Sequence, residues 1–401
     1  MIKFTGRRNI IYIIQLILWS TLRSIDKDVL SKVFNFSYSS IFTVLMFFGE
    51  FSSGSIVYKY QSKYLRRKEN SGFIAKIIKN ISSNKKRNKP SKLKIYTLLL
   101  FATFFDFVEF IITTFYLQKL TSISYSFDSR CNSFLAICNA FAYRYLLKFN
   151  IFKHQIFSLI IISTCFIIVI ASEYAFQNIN EIFTYGEFTL SLGLILVEYF
   201  YLSMMDTIDK YLLEFDSVDP FYIIRFEGLV GTFLGILFCF VENPLPALNN
   251  IYNSKSTGLF ILFLFLLFLF YLFSATRNAF RIMVSKLYSP MVLTLSDYFF
   301  NPLYLIINYI EGDFKSKNGQ NTFYFVLNLI VSLLNTFSTV IFNEFIVLFC
   351  CGLEHNTYYQ ISERSMSEEI EMNKIDISNE TQSENDEEEI YTKNGTYKIY
   401  V

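Results

Sequence analysis

Long apolar stretches separated by short polar segments dominate the pattern along the chain. A helix needs roughly 20 apolar residues to cross about 30 Å of hydrocarbon. Ten segments meet this requirement, and they lie near 9–29, 37–58, 95–117, 124–147, 156–176, 187–208, 220–241, 257–279, 287–310 and 323–349. The segment 257–279 is the strongest, because its core carries no charge, whereas the first and fourth are weakened by charged residues. The pattern predicts an all-α membrane protein with ten transmembrane helices.

The overall composition supports a membrane protein rather than a soluble one. Of the 401 residues, 53% are hydrophobic and 17% are charged, whereas soluble proteins carry about 45–50% apolar and about 25% charged residues. The net charge of +2 does not indicate a nucleic-acid partner. An integral membrane protein follows from both the segments and the composition.

The loop charges predict the orientation, since cytoplasmic loops are enriched in Lys and Arg. Residues 59–94 carry 13 Lys and Arg against one acid, Glu69, whereas residues 173–187 carry three Glu and no basic residue. If the N-terminus is cytosolic, loop 59–94 lies on the cytosolic side of the membrane and loop 173–187 on the opposite side. An even number of spans then places the C-terminus in the cytosol as well. The basic loop 59–94 is also a candidate for binding anionic lipid headgroups, although a role in fixing orientation alone explains it equally well.

Weak sequence matches indicate an internal duplication. Ile25-Asp26-Lys27 recurs as Ile208-Asp209-Lys210, and a glutamate beside a glycine follows in the next span of each half, at Glu50 and Glu227. Their order along the chain predicts a five-plus-five inverted repeat, an arrangement known in transporters. The expected division is a first five-helix repeat at 1–178, a second at 179–355 and an acidic, disordered cytosolic tail at 356–401.

Ionisable residues inside the predicted spans are the candidates for a functional site, because burying charge in a bilayer is costly. Asp106 and Glu109 share one helix face, as do Arg277 and Arg281. Such acids and arginines on different helices would line a polar cavity able to hold an anionic or zwitterionic solute. A purely structural role stays open for Glu227 beside Arg225 and for Glu344, and a role in orientation alone, near the cytosolic surface, stays open for Arg277 and Arg281.

No pattern in the sequence indicates an enzyme or a metal site. The chain has two His and six Cys with no CxxC pair. The nucleophile-elbow, zinc-protease, P-loop and dinucleotide-binding motifs do not occur. We therefore expect no catalytic residues, no cofactor and no bound metal.

Several short motifs occur in an order that resembles a known family. They are Met46-Phe47-Phe48-Gly49-Glu50-Phe51, Phe105-Asp106 with Thr121-Ser122 and Arg130, Pro220-Phe221 with Phe226-Glu227-Gly228, and Asn278, Lys286, Ser289 and Asp297. Together they resemble the drug/metabolite transporter superfamily, in particular the F subfamily of solute carrier family 35 and chloroquine-resistance-like carriers. The resemblance covers roughly residues 10–355 and implies ten helices, transport of a small metabolite and a location in an endomembrane.

These observations predict a secondary transporter that moves a small polar or anionic solute, such as a nucleotide sugar, by alternating access. The expected substrate-binding residues are Glu50, Asp106, Arg130, Glu227, Arg281, Lys286 and Asp297. The expected partners are a small-molecule substrate and membrane lipid, with a homodimer left open. The alternative is a non-transporting membrane scaffold or receptor that acts through the acidic tail.

Overall fold

The computed structural model describes residues 2–4, 10–36, 38–69, 91–116, 131–180, 185–254, 257–288, 290–294 and 321–348, together with isolated residues between 127 and 357. Within these ranges the fold consists almost entirely of helices. The predicted acidic tail and most of the segments 124–132 and 295–320 lie outside the described residues.

The described helices, numbered in chain order, account for most of the predicted segments. They are α1 (Ile10–Phe34), α2 (Ser39–Glu69), α3 (Lys92–Ile111), α4 (Ser133–Tyr145), α5 (Lys153–Asn180), α6 (Tyr185–Glu214), α7 (Pro220–Glu242), α8 (Leu245–Ser254), α9 (Thr257–Leu287) and α10 (Asn321–Phe342). A π-helical turn at Ile112–Tyr116 extends α3, and a 3-10 turn lies at Pro290–Val292. Strands β1 (Ile2–Phe4) and β2 (Ile346–Leu348) pair antiparallel, with Ile2 opposite Leu348.

The beginning and end of α7 show how the local sequence defines a span. The Asp219 carboxylate accepts hydrogen bonds from the backbone N–H groups of Phe221 and Tyr222, at 2.9 and 3.3 Å. Pro220 occupies the first helical position, where no N–H is required. The helix ends at Asn243, which adopts a left-handed conformation with φ 48°.

Six of the described helices are long and apolar enough to cross a membrane. They contain the segments 39–61, 153–175, 185–214, 220–242, 257–287 and 322–342. These helices define a multi-pass membrane protein by length and composition. Helices α1 and α3 have 25 and 20 residues, but charges such as Arg23 and Asp106 interrupt their apolar sequence. The predicted segment 124–147 is described at residues 127 and 131–147, where α4 has 13 residues, and 287–310 is described only in part, so the count of ten stays a prediction.

Helix packing brings the two halves of the sequence together. Helix α2 packs most extensively on α7, α1 packs on α9, α3 packs on α6, and α5 packs on α10. Large apolar side chains remain exposed on the outer faces, among them Ile167, Phe240, Ile261 and Phe323. This distribution is the one expected when lipid, rather than water, surrounds the helices.

Candidate functional site

A cluster of ionisable side chains is buried where α2, α3, α6, α7 and α9 meet. Its acidic members are Glu50, Asp106, Glu109, Asp206, Asp209 and Glu227, and its basic members are Arg277 and Arg281, with Arg23 of α1 within electrostatic reach. Among these described residues, six acids thus face three arginines. Five of the acids expose 6% or less of their surface. So many buried acids need neutralisation, because each uncompensated charge is costly in a low-dielectric interior.

Glycines bring α2 and α7 close together at this cluster. A Cβ atom placed on Gly228 would lie 2.2 Å from the backbone nitrogen of Phe51, and one on Gly54 would lie 2.7 Å from that of Arg225. Only glycine permits two backbones to approach this closely. Glu227 directly precedes Gly228, and Glu50 lies one helical turn before Gly54, so the same crossing places both glutamates in the interior.

The strongest charge pair in the cluster joins α6 to α9. The Arg281 guanidinium donates a hydrogen bond to Asp206 Oδ1 at 2.5 Å, and the two side chains expose only 15% and 3% of their surface. Arg281 also contacts the Met205 sulfur at 3.9 Å. A buried ion pair of this kind fixes the position of both helices, because separating it would leave either charge uncompensated.

A second polar chain joins α2 to α9. Asn278 Nδ2 donates to Glu50 Oε1 at 2.5 Å, and Asn278 Oδ1 in turn accepts a hydrogen bond from Arg277 at 2.9 Å. Glu50 Oε2 is buried and has no hydrogen-bond partner in the described part of the chain. Glu50 therefore keeps one acceptor atom available to a ligand.

Two carboxyl groups meet between α6 and α7. The carboxyl groups of Asp209 and Glu227 line the same cavity and lie within hydrogen-bonding reach of each other. An ionised carboxylate has no donor, so a hydrogen bond between them requires a proton on one of the two groups. Asp209 Oδ1 and Glu227 Oε1 are buried, without a further hydrogen-bond partner among the described residues.

The unpartnered oxygens face a small cavity inside the cluster. Its polar lining consists of Glu50, Asp206, Asp209, Glu227, Asn278, Arg281 and Ser285, and its apolar lining consists of Ile224, Ile282 and Leu293. The cavity offers about 10 Å³ to the centre of a water molecule, which is roughly the room that one water needs. A larger solute could enter only if the helices moved apart.

Further polar contacts hold α6 in place near its C-terminal end. The buried Lys210 ammonium donates to the backbone oxygens of Ser285 and Tyr288, at 2.9 and 2.6 Å, and pairs with Glu214 at 2.7 Å. Lys210 thereby ties α6 to the end of α9.

A contact of Lys94 ties the start of α3 to the end of α6. Lys94 donates to the Tyr211 hydroxyl at 2.6 Å and lies 3.5 Å from Asp216. The hydrogen bond to Tyr211 and the charge of Asp216 raise the pKa of Lys94.

The predicted site residues fall into three groups in the structure. Glu50, Asp106, Glu227 and Arg281 lie together in the cluster. Lys286 is exposed near the end of α9 and does not line the cavity. Arg130 and Asp297 lie outside the described residues, so their predicted role is untested.

The residues left open as structural also have clear positions. Arg225 is exposed on α7, whereas Glu227 is buried and contacts Asp209 instead. Glu344 lies 3.1 Å from the buried His154, away from the cluster. The described residues contain no group of three or more His, Cys, Asp or Glu arranged to hold a metal ion.

Sequence reasoning did not select Asp206 and Asp209 as site residues, although both line the cavity. They lie three residues apart on α6 and therefore share a face. The signal that could have identified them is the repeat motif Ile208-Asp209-Lys210, in which a charged pair recurs near the end of an apolar helix.

Comparison with known proteins gives no family assignment. Neither a protein-family model nor a curated protein matches this chain.

Proposed function

We propose that this protein is a secondary transporter that moves a small polar solute across an endomembrane by alternating access, with the buried cluster as its binding site. The observation that carries the proposal is the convergence of Glu50, Glu227 and the Asp206–Arg281 pair on one cavity between apolar helices. Intramembrane charges are rare, and they mark substrate or ion pathways. A protein that needed only to be anchored in the bilayer would have no use for such a costly interior.

The pairing of the helices supports a five-plus-five inverted repeat. In such a repeat α1 corresponds to α6, α2 to α7, α3 to α9 and α5 to α10. If each helix is replaced by its counterpart in the other half, the α1–α9 contact becomes the α6–α3 contact. The α2–α9 contact likewise becomes the α7–α3 contact. The α2–α7 and α5–α10 contacts join counterparts and so are unchanged by this replacement. All six of these helix contacts occur. Glu50 and Glu227 then occupy corresponding positions, each with a glycine four residues later, at Gly54 and Gly231.

The transport cycle follows from this arrangement. The small cavity corresponds to an occluded conformation, in which the helices have closed around the site. Rocking of one half against the other would open the cavity to each side of the membrane in turn. The Lys210 and Lys94 contacts at the end of α6 are the ones that must break for the site to open at that end.

The resemblance to solute carrier family 35 suggests a nucleotide sugar as the solute, with both termini in the cytosol. The surplus of buried acids instead suits a solute that is neutral or positively charged. A screen for thermal stabilisation of the purified protein by nucleotide sugars, nucleotide monophosphates, amino acids and cationic amines would separate these classes. A ligand that binds only the folded state raises its stability by about 2.7 kcal/mol when present at a hundred times its Kd.

The rival function, a scaffold acting through its tail, makes the opposite prediction in a complementation assay. For a transporter, Asp106→Asn abolishes complementation and deletion of residues 363–401 preserves it. For a scaffold, the deletion abolishes complementation and Asp106→Asn has no effect. Glu187→Gln is the matched control for the substitution, because Glu187 is an exposed acid in the first turn of α6. The amount of each variant in the membrane fraction must equal that of the wild type.

A further inference from the structure

We infer that Asp209 and Glu227 form a proton-binding site, which holds one proton in the occluded conformation and releases it when the cavity opens. The inference rests on the proposed transport function, for which it names the coupling ion. Its physical basis is that two carboxyl groups, 5% and 6% exposed, line one small cavity within hydrogen-bonding reach of each other. Two carboxylates in such contact repel each other, so the pair holds together only if it shares a proton.

Arg281 acts on the pair as a cation, and it already forms an ion pair with Asp206. The other charged groups that act on the pair are Glu50 from α2, Asp106 from α3 and Asp206 from α6, while Arg277 from α9 acts on Glu50. Arg281 is hydrogen-bonded to Asp206, and Arg277 donates to Asn278. The remaining neighbours are acids, and their charge strengthens the hold on a proton.

The two halves hold their corresponding glutamates in different ways. Glu50, the counterpart of Glu227, accepts a hydrogen bond from the Asn278 amide. An amide donates without any added proton, so Glu50 can be ionised while it makes this bond. Glu227 has Asp209 as its partner instead, and this bond exists only in the protonated pair.

The pair is also placed where its protonation affects the conformation. Asp209 belongs to α6 and Glu227 to α7, and both line the cavity. Asp209 is followed directly by Lys210, which holds the end of α9. Loss of the proton replaces a hydrogen bond between α6 and α7 by repulsion, and this favours the separation of helices that opening requires.

The test is the thermal stability of the full-length, detergent-purified protein between about pH 5 and about pH 8, at constant salt. A site that holds a proton only in the folded protein loses its contribution to stability as the pH rises. We expect the Tm of the wild type to fall with rising pH. Glu227→Gln should flatten this dependence, because the amide donates to Asp209 at every pH, whereas Glu187→Gln should keep the wild-type slope. An unchanged slope in Glu227→Gln overturns the inference.

A second variant and a spectroscopic measurement keep the test decisive if one variant does not fold. Asp209→Asn should flatten the slope in the same way, even if Glu227→Gln does not fold. Infrared spectra should show a protonated carboxyl band that disappears in either variant. A different result would overturn the inference in favour of a metal cation. In that case the Tm of the wild type would not change with pH, and at constant pH it would be higher in sodium chloride than in choline chloride.

Transport measurements separate this inference from the proposed function. Proteoliposomes with a pH gradient should accumulate the stabilising ligand, and Glu227→Gln should remove the dependence on the gradient. Loss of the pH slope in Glu227→Gln without any transport by the wild type would support the proton site and refute the carrier. Transport that ignores the gradient, with an unchanged slope in Glu227→Gln, would support the carrier and refute the proton site.

Discussion

The Arg281–Asp206 pair is the strongest individual contact in the cluster, and its removal should be strongly destabilising. Arg281→Gln leaves the buried Asp206 carboxylate without its cation, and breaking a buried pair in this way costs about 3–5 kcal/mol. The double variant Asp206→Asn with Arg281→Gln should recover part of the loss, since neither charge is then uncompensated. Thermal unfolding of the three variants measures the effect, with the exposed Arg225→Gln as the control. Equal instability of the single and double variants would show that the pair does not act as a unit.

Substitution of Asn278 can test whether a pair of carboxyl groups makes the stability depend on pH. Asn278→Asp would place a carboxyl group against Glu50 at the present 2.5 Å contact and so create a second carboxyl pair. Because such a pair requires a proton, the Tm of this variant should fall more steeply with pH than that of the wild type. Asn278→Ala removes the donor without adding an acid and should lower the Tm. Equal slopes in Asn278→Asp and the wild type would contradict this prediction.

The burial of two glutamates could be predicted from the sequence, because each is a conspicuous charge, whereas their role in binding stays a prediction. Glu50 and Glu227 interrupt strongly apolar segments, so their burial in a polar cluster could be expected from the cost of placing them in lipid. Asp206 and Asp209 lie near the end of a segment, where charged residues are ordinary. Only the packing of α6 against α3, α4 and α9 shows that they are buried, and a linear pattern does not contain that arrangement.

At the scale of helices, the close approach of α2 and α7 should be intolerant of any added side chain. In Gly228→Ala the new Cβ would meet backbone atoms of Phe51 and Phe47, which cannot rotate away. The helices must therefore separate, at a cost of roughly 1–3 kcal/mol or more. Gly193→Ala on α6 is the matched control, because a Cβ there meets nothing within 4 Å.

Size-exclusion profiles and Tm values of the two alanine variants check this prediction. Gly228→Ala should have a lower Tm and a larger aggregated fraction, and Gly193→Ala should match or exceed the wild type, since alanine favours helix. A wild-type Tm in Gly228→Ala would mean that α2 and α7 do not pack as closely as described.

The helices also show where an apolar pattern locates a span and where it does not. The segment 220–241 agrees closely with Pro220–Glu242, because the N-terminal cap and Asn243 limit that helix on both sides. The segment 257–279 was too short, since α9 continues to Leu287 through residues that include neither Gly nor Pro. Helix α8 was not predicted, because its 10 residues cannot span a bilayer. Its Ile251 and Leu248 pack instead with the core around Phe263.

At the scale of the whole molecule, the ten-span arrangement predicts that both termini lie on the cytosolic side. The 13 basic residues within 59–94 favour retention of that loop in the cytosol, and each additional span reverses the side of the chain. Epitope tags at Met1 and Val401 should both be accessible to antibody when only the plasma membrane is permeabilised. A tag inserted at 181–184, between α5 and α6, is the control and should stay protected until the endomembranes are opened. Protection of one terminal tag would imply an odd number of spans. The two halves could not then form a five-plus-five inverted repeat, even if the buried cluster still bound its ligand.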